Sequence, residues 1–104
     1  MNKDRIEMLE QFLKEDNSDP FNHYALALEY KDLKPEKAKS LFEHLLVTHP
    51  DYLPTYYIAG LFYSDQSENA KGLLILRKGL ELARSQKNHS ASRELQAAIQ
   101  QIED

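Results

Sequence analysis

The chain copies itself. His23, Leu26, Ala27 and Tyr30 are followed by Ala38, Phe42 and Pro50, and one period later Tyr56, Ala59, Gly60 and Tyr63 are followed by Gly72, Leu76 and Arg84. Tyr30 and Tyr63 lie 33 residues apart, and Phe42 and Leu76 lie 34 apart. A period in the low thirties, with large and small residues at fixed offsets, is the pattern of a stacked helical repeat. Each unit of such an array buries its apolar face only against a neighbour. The array presents a surface and rarely carries an active centre.

The punctuation predicts six helices. Ile6, Leu9 and Leu13 recur at three- and four-residue spacing, with Met8 and Phe12 widening the stripe, so a first helix runs from about Asp4 to Glu15. Asp19 before Pro20 reads as an N-cap with proline at the first helical position, where a missing N–H costs nothing. That second helix extends to about Leu33. Pro35 opens a third, with Ala38, Leu41, Phe42, Leu45 and Leu46 as its apolar stripe. Asp51 is the expected cap of a fourth helix, which tolerates Pro54 in its first turn and ends near Ser64. Asp65 or Ser67 is expected to cap a fifth, ending near Gln86. A sixth carries Ala91, Leu95, Ala98, Ile99 and Ile102 on one face and Arg93, Gln96, Gln100 and Gln101 on the other. No stretch alternates with period two, so no sheet is expected.

Short connections between these helices require antiparallel neighbours. Leu9, Phe12 and Leu13 return as Phe42, Leu45 and Leu46, and again as Leu76, Gly79 and Leu80. The order is therefore a half repeat (residues 4–18), two full repeats (19–52 and 53–86) and a closing helix (90–103), within a single domain spanning 1–104. The polar outer face of the closing helix suits a cap that shields the last apolar surface. Gly72 and Gly79 would each cost about 1 kcal/mol relative to alanine in an exposed helix, which is reasonable where two backbones touch. Ala27 and Gly60 fit the same close approach.

Composition removes several classes of function. Hydrophobic residues make up 41% and charged residues 29%, the balance of a folded domain. The net charge of −4 repels phosphate backbones, so no nucleic-acid partner is expected. Cysteine is absent, which removes thiol catalysis and disulfides. No apolar run approaches the roughly 18 residues that cross a bilayer, so no membrane partner is expected. The charged N-terminus lacks the apolar segment of a secretory signal, and a cytoplasmic protein is the expectation. Asn88-His89-Ser90 has the form of a glycosylation sequon, which without a secretion signal is read as chance.

The four histidines, His23, His44, His49 and His89, are the natural candidates for metal or catalytic groups. His44 and His49 are five residues apart, which does not put them on one helical face, and nothing joins His23 or His89 to a nucleophile. They read as surface or packing residues. The carboxylates are scattered over solvated helix faces, and no glycine-rich phosphate loop occurs. No catalytic residue, metal site or cofactor is expected, and the chain does not read as an enzyme.

With the residues in hand, the sequence resembles the tetratricopeptide repeat (TPR) family, whose pattern pairs large and small residues with tyrosine, alanine, an aromatic and a closing proline. The first copy departs from it at His23, where a large aromatic is usual, and is one residue short around Lys34-Pro35. The second has Gly72 and Gly79 for alanines and Arg84 for proline. The resemblance covers nearly the whole chain and implies an all-α, right-handed solenoid of stacked antiparallel hairpins.

It also implies a binding surface. In the family, one side of the first helices of each repeat lines a concave groove, which here would be floored by Phe21, Tyr24, Leu28, Lys31, Tyr57, Leu61 and Ser64. Tyr30, Tyr56 and Tyr63 take packing positions, whereas Tyr24 and Tyr57 do not and are equivalent, as are Leu28 and Leu61. Such residues are candidates for binding, because aromatic anchors concentrate interface energy, unless the closing helix or the chain ends cover them. Members that clamp the C-terminal carboxylate of heat-shock chaperones use lysine and asparagine at groove positions. Tyr24, Leu28 and Ile58 stand there, or Ala25, Pro54 and Ile58 one repeat on, and none pairs with a carboxylate. The expected function is a protein-interaction or scaffold module that holds a protein or peptide partner. The alternatives are a homodimer through the same groove and, remotely, a small enzyme or ligand-binding protein.

Overall fold

The computed structural model describes residues 3–104. Six helices follow one another: α1 (Lys3–Glu15), α2 (Pro20–Tyr30), α3 (Pro35–Thr48), α4 (Pro54–Asp65), α5 (Asn69–Ser85) and α6 (His89–Glu103). No strand occurs among the described residues, so the all-α expectation holds. None of these helices is long and apolar enough to cross a membrane. The helices gather into two compact units that divide after Tyr52.

In the first unit α2 packs on both α1 and α3. Asp19 caps α2 as expected, its Oδ1 accepting from the Phe21 N–H at 2.9 Å. Leu26, Ala27, Tyr30, Ala38, Phe42 and Leu45 are buried, with Ile6 and Leu9 from α1. Glu29 on α2 pairs with Arg5 on α1 at 2.7 Å, and the Lys37 ammonium on α3 sits 5.1 Å from the centre of the Tyr30 ring.

Three expectations need correction here. Met8 and Phe12 do not widen the buried stripe of α1; they are 45% and 41% exposed, while Ile6 and Leu9 are the buried residues of this helix, which packs chiefly on α2. The second helix stops at Tyr30, three residues before Leu33, which is exposed in the following turn. Asp51 does not cap α4: Leu53 occupies the N-cap and no side chain bonds to the first turn. Proline at the first helical position has already removed one of the free N–H groups that a cap would satisfy.

In the second unit α4 packs on α5, α5 on α6, and α6 reaches back to α4. The glycines are where the backbones meet. A Cβ on Gly72 would lie 2.6 Å from the Gly60 carbonyl oxygen, and one on Gly79 would lie 2.5 Å from the Tyr56 Cβ. Close packing, expected from the two glycines of one helix, is therefore their role. Lys71 stands 4.3 Å over the Tyr63 ring, repeating the Lys37–Tyr30 arrangement of the first unit.

Both corners of this unit are Schellman turns. Ser67 adopts φ 65°, and the Glu68 N–H donates to the Tyr63 carbonyl at 2.8 Å while the Ser67 N–H donates to Ser64 at 3.0 Å. Lys87, at φ 57°, does the same between α5 and α6, with Asn88 N–H on Ala83 at 2.9 Å and Lys87 N–H on Arg84 at 3.0 Å. Ser67 thus closes α4 and does not cap α5, and Asp65 is the last residue of α4; Glu68 takes the N-cap without a side-chain bond. On α6, Leu95 and Ala98 are buried while Arg93, Gln96, Gln100 and Gln101 are exposed, the division that its sequence predicts. Arg77 on α5 is ion-paired with Glu103 on α6.

Candidate partner-binding faces

Each unit carries one stripe of the expected surface. On α2 and its C-cap the stripe is Phe21, Tyr24, Leu28 and the cap residue Lys31, at the three- and four-residue spacing that places side chains on one face. It runs beside the buried stripe of the same helix. Phe21 is 51% exposed, and Tyr24, Leu28 and Lys31 are half-buried. The Lys31 ammonium lies 3.4 Å from the neighbouring Asp32 carboxylate, so the apolar part of the stripe has a charged end.

Tyr24 meets Tyr52 edge to face, with ring centres 5.8 Å apart. Burial raises both phenols above their ordinary value. For Tyr24 the neighbouring Tyr52 adds to the effect, and for Tyr52 the Asp19 carboxylate does. Both stay protonated at neutral pH and can donate hydrogen bonds. Beside them Pro20, Thr48, His49, Pro50, Asp51 and Tyr52 enclose a depression of about 340 Å³, the volume of a side chain or two.

On α4 the stripe is Tyr57, Leu61 and Ser64, all half-buried. The Ser64 hydroxyl donates to the Asn69 Oδ1 at 2.8 Å, which ties this end of the stripe to the start of α5. Leu61 and Ser64 line a depression of about 330 Å³ with Asp65, Asn69, Gln101 and Ile102. The last turn of α6 therefore flanks this stripe. A second depression of the unit, about 650 Å³, lies along α5 and α6 with Arg77, Leu80, Arg93, Ile99 and Glu103 among its walls.

The positions assigned to packing behave as such. Tyr30, Tyr56 and Tyr63 are buried, in contrast to half-buried Tyr24 and Tyr57. What the faces can do chemically is apolar and aromatic contact with a few directed hydrogen bonds.

One grouping was not legible in the sequence. His23, His44 and His49 come together in the first unit, with the rings of His23 and His44 only 4.4 Å apart. Helical spacing did not predict it for two reasons. His23 lies on a different helix, and His49 is the C-cap of α3, at φ −128° and ψ 62°, where the helical wheel no longer applies. The packing of His44 on His23 also explains how the repeat accommodates an imidazole where a larger ring is usual. Among the described residues no group of three or more His, Cys, Asp or Glu is disposed to hold a metal ion.

No family model matches the sequence, and no curated protein does. Solved structures do. The crystal structure of a tetratricopeptide repeat domain protein from Salinibacter ruber is 37% identical, covers 82% of this chain and 96% of its own, and superimposes with a TM-score of 0.76. A solution structure of a tetratricopeptide repeat domain protein from the same organism is 37% identical over 85% of this chain and 90% of its own, with a TM-score of 0.79. A protein from Bordetella parapertussis, 20% identical over 93% of this chain and 85% of its own, shares the fold with a TM-score of 0.79. The self-copying sequence, the helical hairpins and relatives of this identity and coverage agree: the chain belongs to the tetratricopeptide repeat family.

Proposed function

We propose that the protein is an interaction module that engages a protein partner through the stripe of α2 in the first unit and the stripe of α4 in the second, each taken by itself. The observation that carries this reading is a contrast within each helix. Leu26, Ala27 and Tyr30 on α2, and Ala59, Gly60 and Tyr63 on α4, are consumed by packing. Tyr24 and Leu28, and one period later Tyr57 and Leu61, keep part of their surface free. Family membership supports a protein-interaction repeat in general, and the stripes supply the residues.

A preformed helical surface loses little entropy when it binds, so a few aromatic anchors suffice for useful affinity. The partner segment is apolar or amphipathic, with acceptors for the neutral phenol of Tyr24. Affinity capture from the native lysate tests this with wild type, Tyr57→Ala and, as a control on α5, Glu81→Lys. Tyr57→Ala is expected to lose about 2 kcal/mol or more of binding, as hot-spot truncations do, while the control keeps it. Recovery unchanged by Tyr57→Ala would place binding elsewhere, and unfolding of that variant would make Tyr57 a core residue. Light scattering over a hundredfold concentration range separates the alternative occupant, a second copy of the chain, which would give a dimer that Tyr57→Glu dissociates.

A further inference from the structure

Three of the chain's four histidines share one end of the α2–α3 hairpin. Ring centres are 4.4 Å apart for His23 and His44, 6.4 Å for His23 and His49, and 6.3 Å for His44 and His49. His23 is buried, and its Nε2 lies 2.9 Å from the Asn17 carbonyl oxygen. A carbonyl only accepts, so Nε2 carries the hydrogen and Nδ1 presents a lone pair. That Nδ1 is buried with no partner, and so is the His49 Nε2. The cation that two unpartnered imidazole nitrogens can take up is a proton.

We propose that the His23–His44–His49 cluster is an acid-sensitive latch between α2 and α3. Neutral rings pack against one another and hold the hairpin closed. A proton on the cluster sets a positive charge against two further imidazoles, beside nitrogens that have no acceptor, and favours the open hairpin.

At His44 the surroundings disfavour the charged ring. Burial lowers the His44 value below that of a free imidazole, and His23 from α2 and His49 from the end of α3 lower it further. In the α1–α2 connection Asp16 accepts from the Ser18 N–H at 2.9 Å and from its hydroxyl at 2.6 Å, and Asp19 is engaged with Phe21. Asp51 lines the depression that His49 also lines. From α1, Arg5 is paired with Glu29, and Glu10 is bonded to Tyr30.

The sign of the effect follows. The unfolded chain, with its histidine near the ordinary value of about 6.5, binds the proton more tightly than the folded chain does. Stability is therefore complete above that pH and is lost as pH falls towards the lower, folded value. The same opening would disturb Phe21, Tyr24 and Leu28 on α2, but the latch stands whether or not those residues bind a partner.

Urea unfolding of the whole chain, followed by circular dichroism at several values between pH 7.5 and 5.0, tests the latch. Below about pH 6.5 the unfolding constant is expected to rise, by up to about tenfold per pH unit for each proton taken up on unfolding. His44→Gln should flatten that rise, and His89→Gln, at the start of α6, should leave it intact. An unfolding constant that does not change over this range would overturn the proposal, and so would a slope that survives His44→Gln in full. A second measurement needs no variant: the ring-proton signal of His44 should titrate at a lower pH in the folded chain than in urea. Coincident midpoints would overturn the proposal equally.

Discussion

Gly72→Ala sets two physical effects of opposite sign against each other. Helix propensity alone says that the substitution stabilises α5 by about 1 kcal/mol. The structure says otherwise. The new Cβ would lie 2.6 Å from the Gly60 carbonyl oxygen and 3.2 Å from the Ser64 backbone nitrogen, both main-chain atoms of α4. A carbon–oxygen contact settles at roughly 3.3 Å, so the two helices would have to part locally by about 0.7 Å. No side-chain rotation can relieve that contact. Overpacking costs about 1–3 kcal/mol, and a clash between two backbones belongs at the upper end. Set against the gain in propensity, the net loss should be about 1–2 kcal/mol. With a urea slope near 1.5 kcal/mol/M, that lowers the unfolding midpoint by roughly 1 M, readable by circular dichroism at constant pH. A variant as stable as wild type, or more so, would refute the reasoning and show that α4 and α5 do not approach as closely as described.

Phe42→Ala removes a fully buried ring and should cost about 3–5 kcal/mol in the same assay, a large part of the about 5–15 kcal/mol that holds a domain of this kind together. A loss below about 1 kcal/mol would mean that the helix register is wrong. Lys87→Gly relieves a left-handed backbone at a side chain that is exposed. It should raise stability by about 0.5–1 kcal/mol, the relief of the Cβ being partly offset by a freer unfolded chain. A loss of stability on that change would contradict the Schellman geometry.

Helix starts marked by proline were legible in the sequence for α2 and α3, which begin at Pro20 and Pro35, whereas α4, expected to be capped by Asp51, begins at Pro54. The core was legible too, because the repeat displays its packing positions twice, and Tyr30 and Tyr63 are buried alike. Helix ends were harder. Ser67 and Lys87 take the left-handed turn position without being glycine, so composition gave no signal, and Ser67 read as a start when it is a stop. Met8 and Phe12 fit an apolar stripe by spacing, but periodicity does not say which part of a stripe finds a neighbour. The cation–ring pairs Lys37–Tyr30 and Lys71–Tyr63 recur with the repeat and could have been found by aligning its two copies for charge as well as for size. The histidine cluster could not, since it depends on a non-helical cap residue. The candidate stripes were placed by resemblance, and what the coordinates add is how much of each residue stays uncovered.

Asn88 has two duties at one corner. Its N–H closes α5 on Ala83, and its side-chain oxygen accepts from the Ala91 N–H at 3.0 Å to open α6. There is no spare residue between the end of one helix and the start of the next. An insertion at this corner therefore has nowhere to go. One extra residue after Lys87 would separate the closing bond from the opening one. One placed within the first turn of α6 would swing Leu95 and Ala98 about 100° around the helix axis and turn polar side chains inward. Length variation among close relatives of this chain should accordingly fall elsewhere, for example in the exposed Asp16–Asp19 connection, and loop grafts or tags introduced at Asn88 should release the terminal helix.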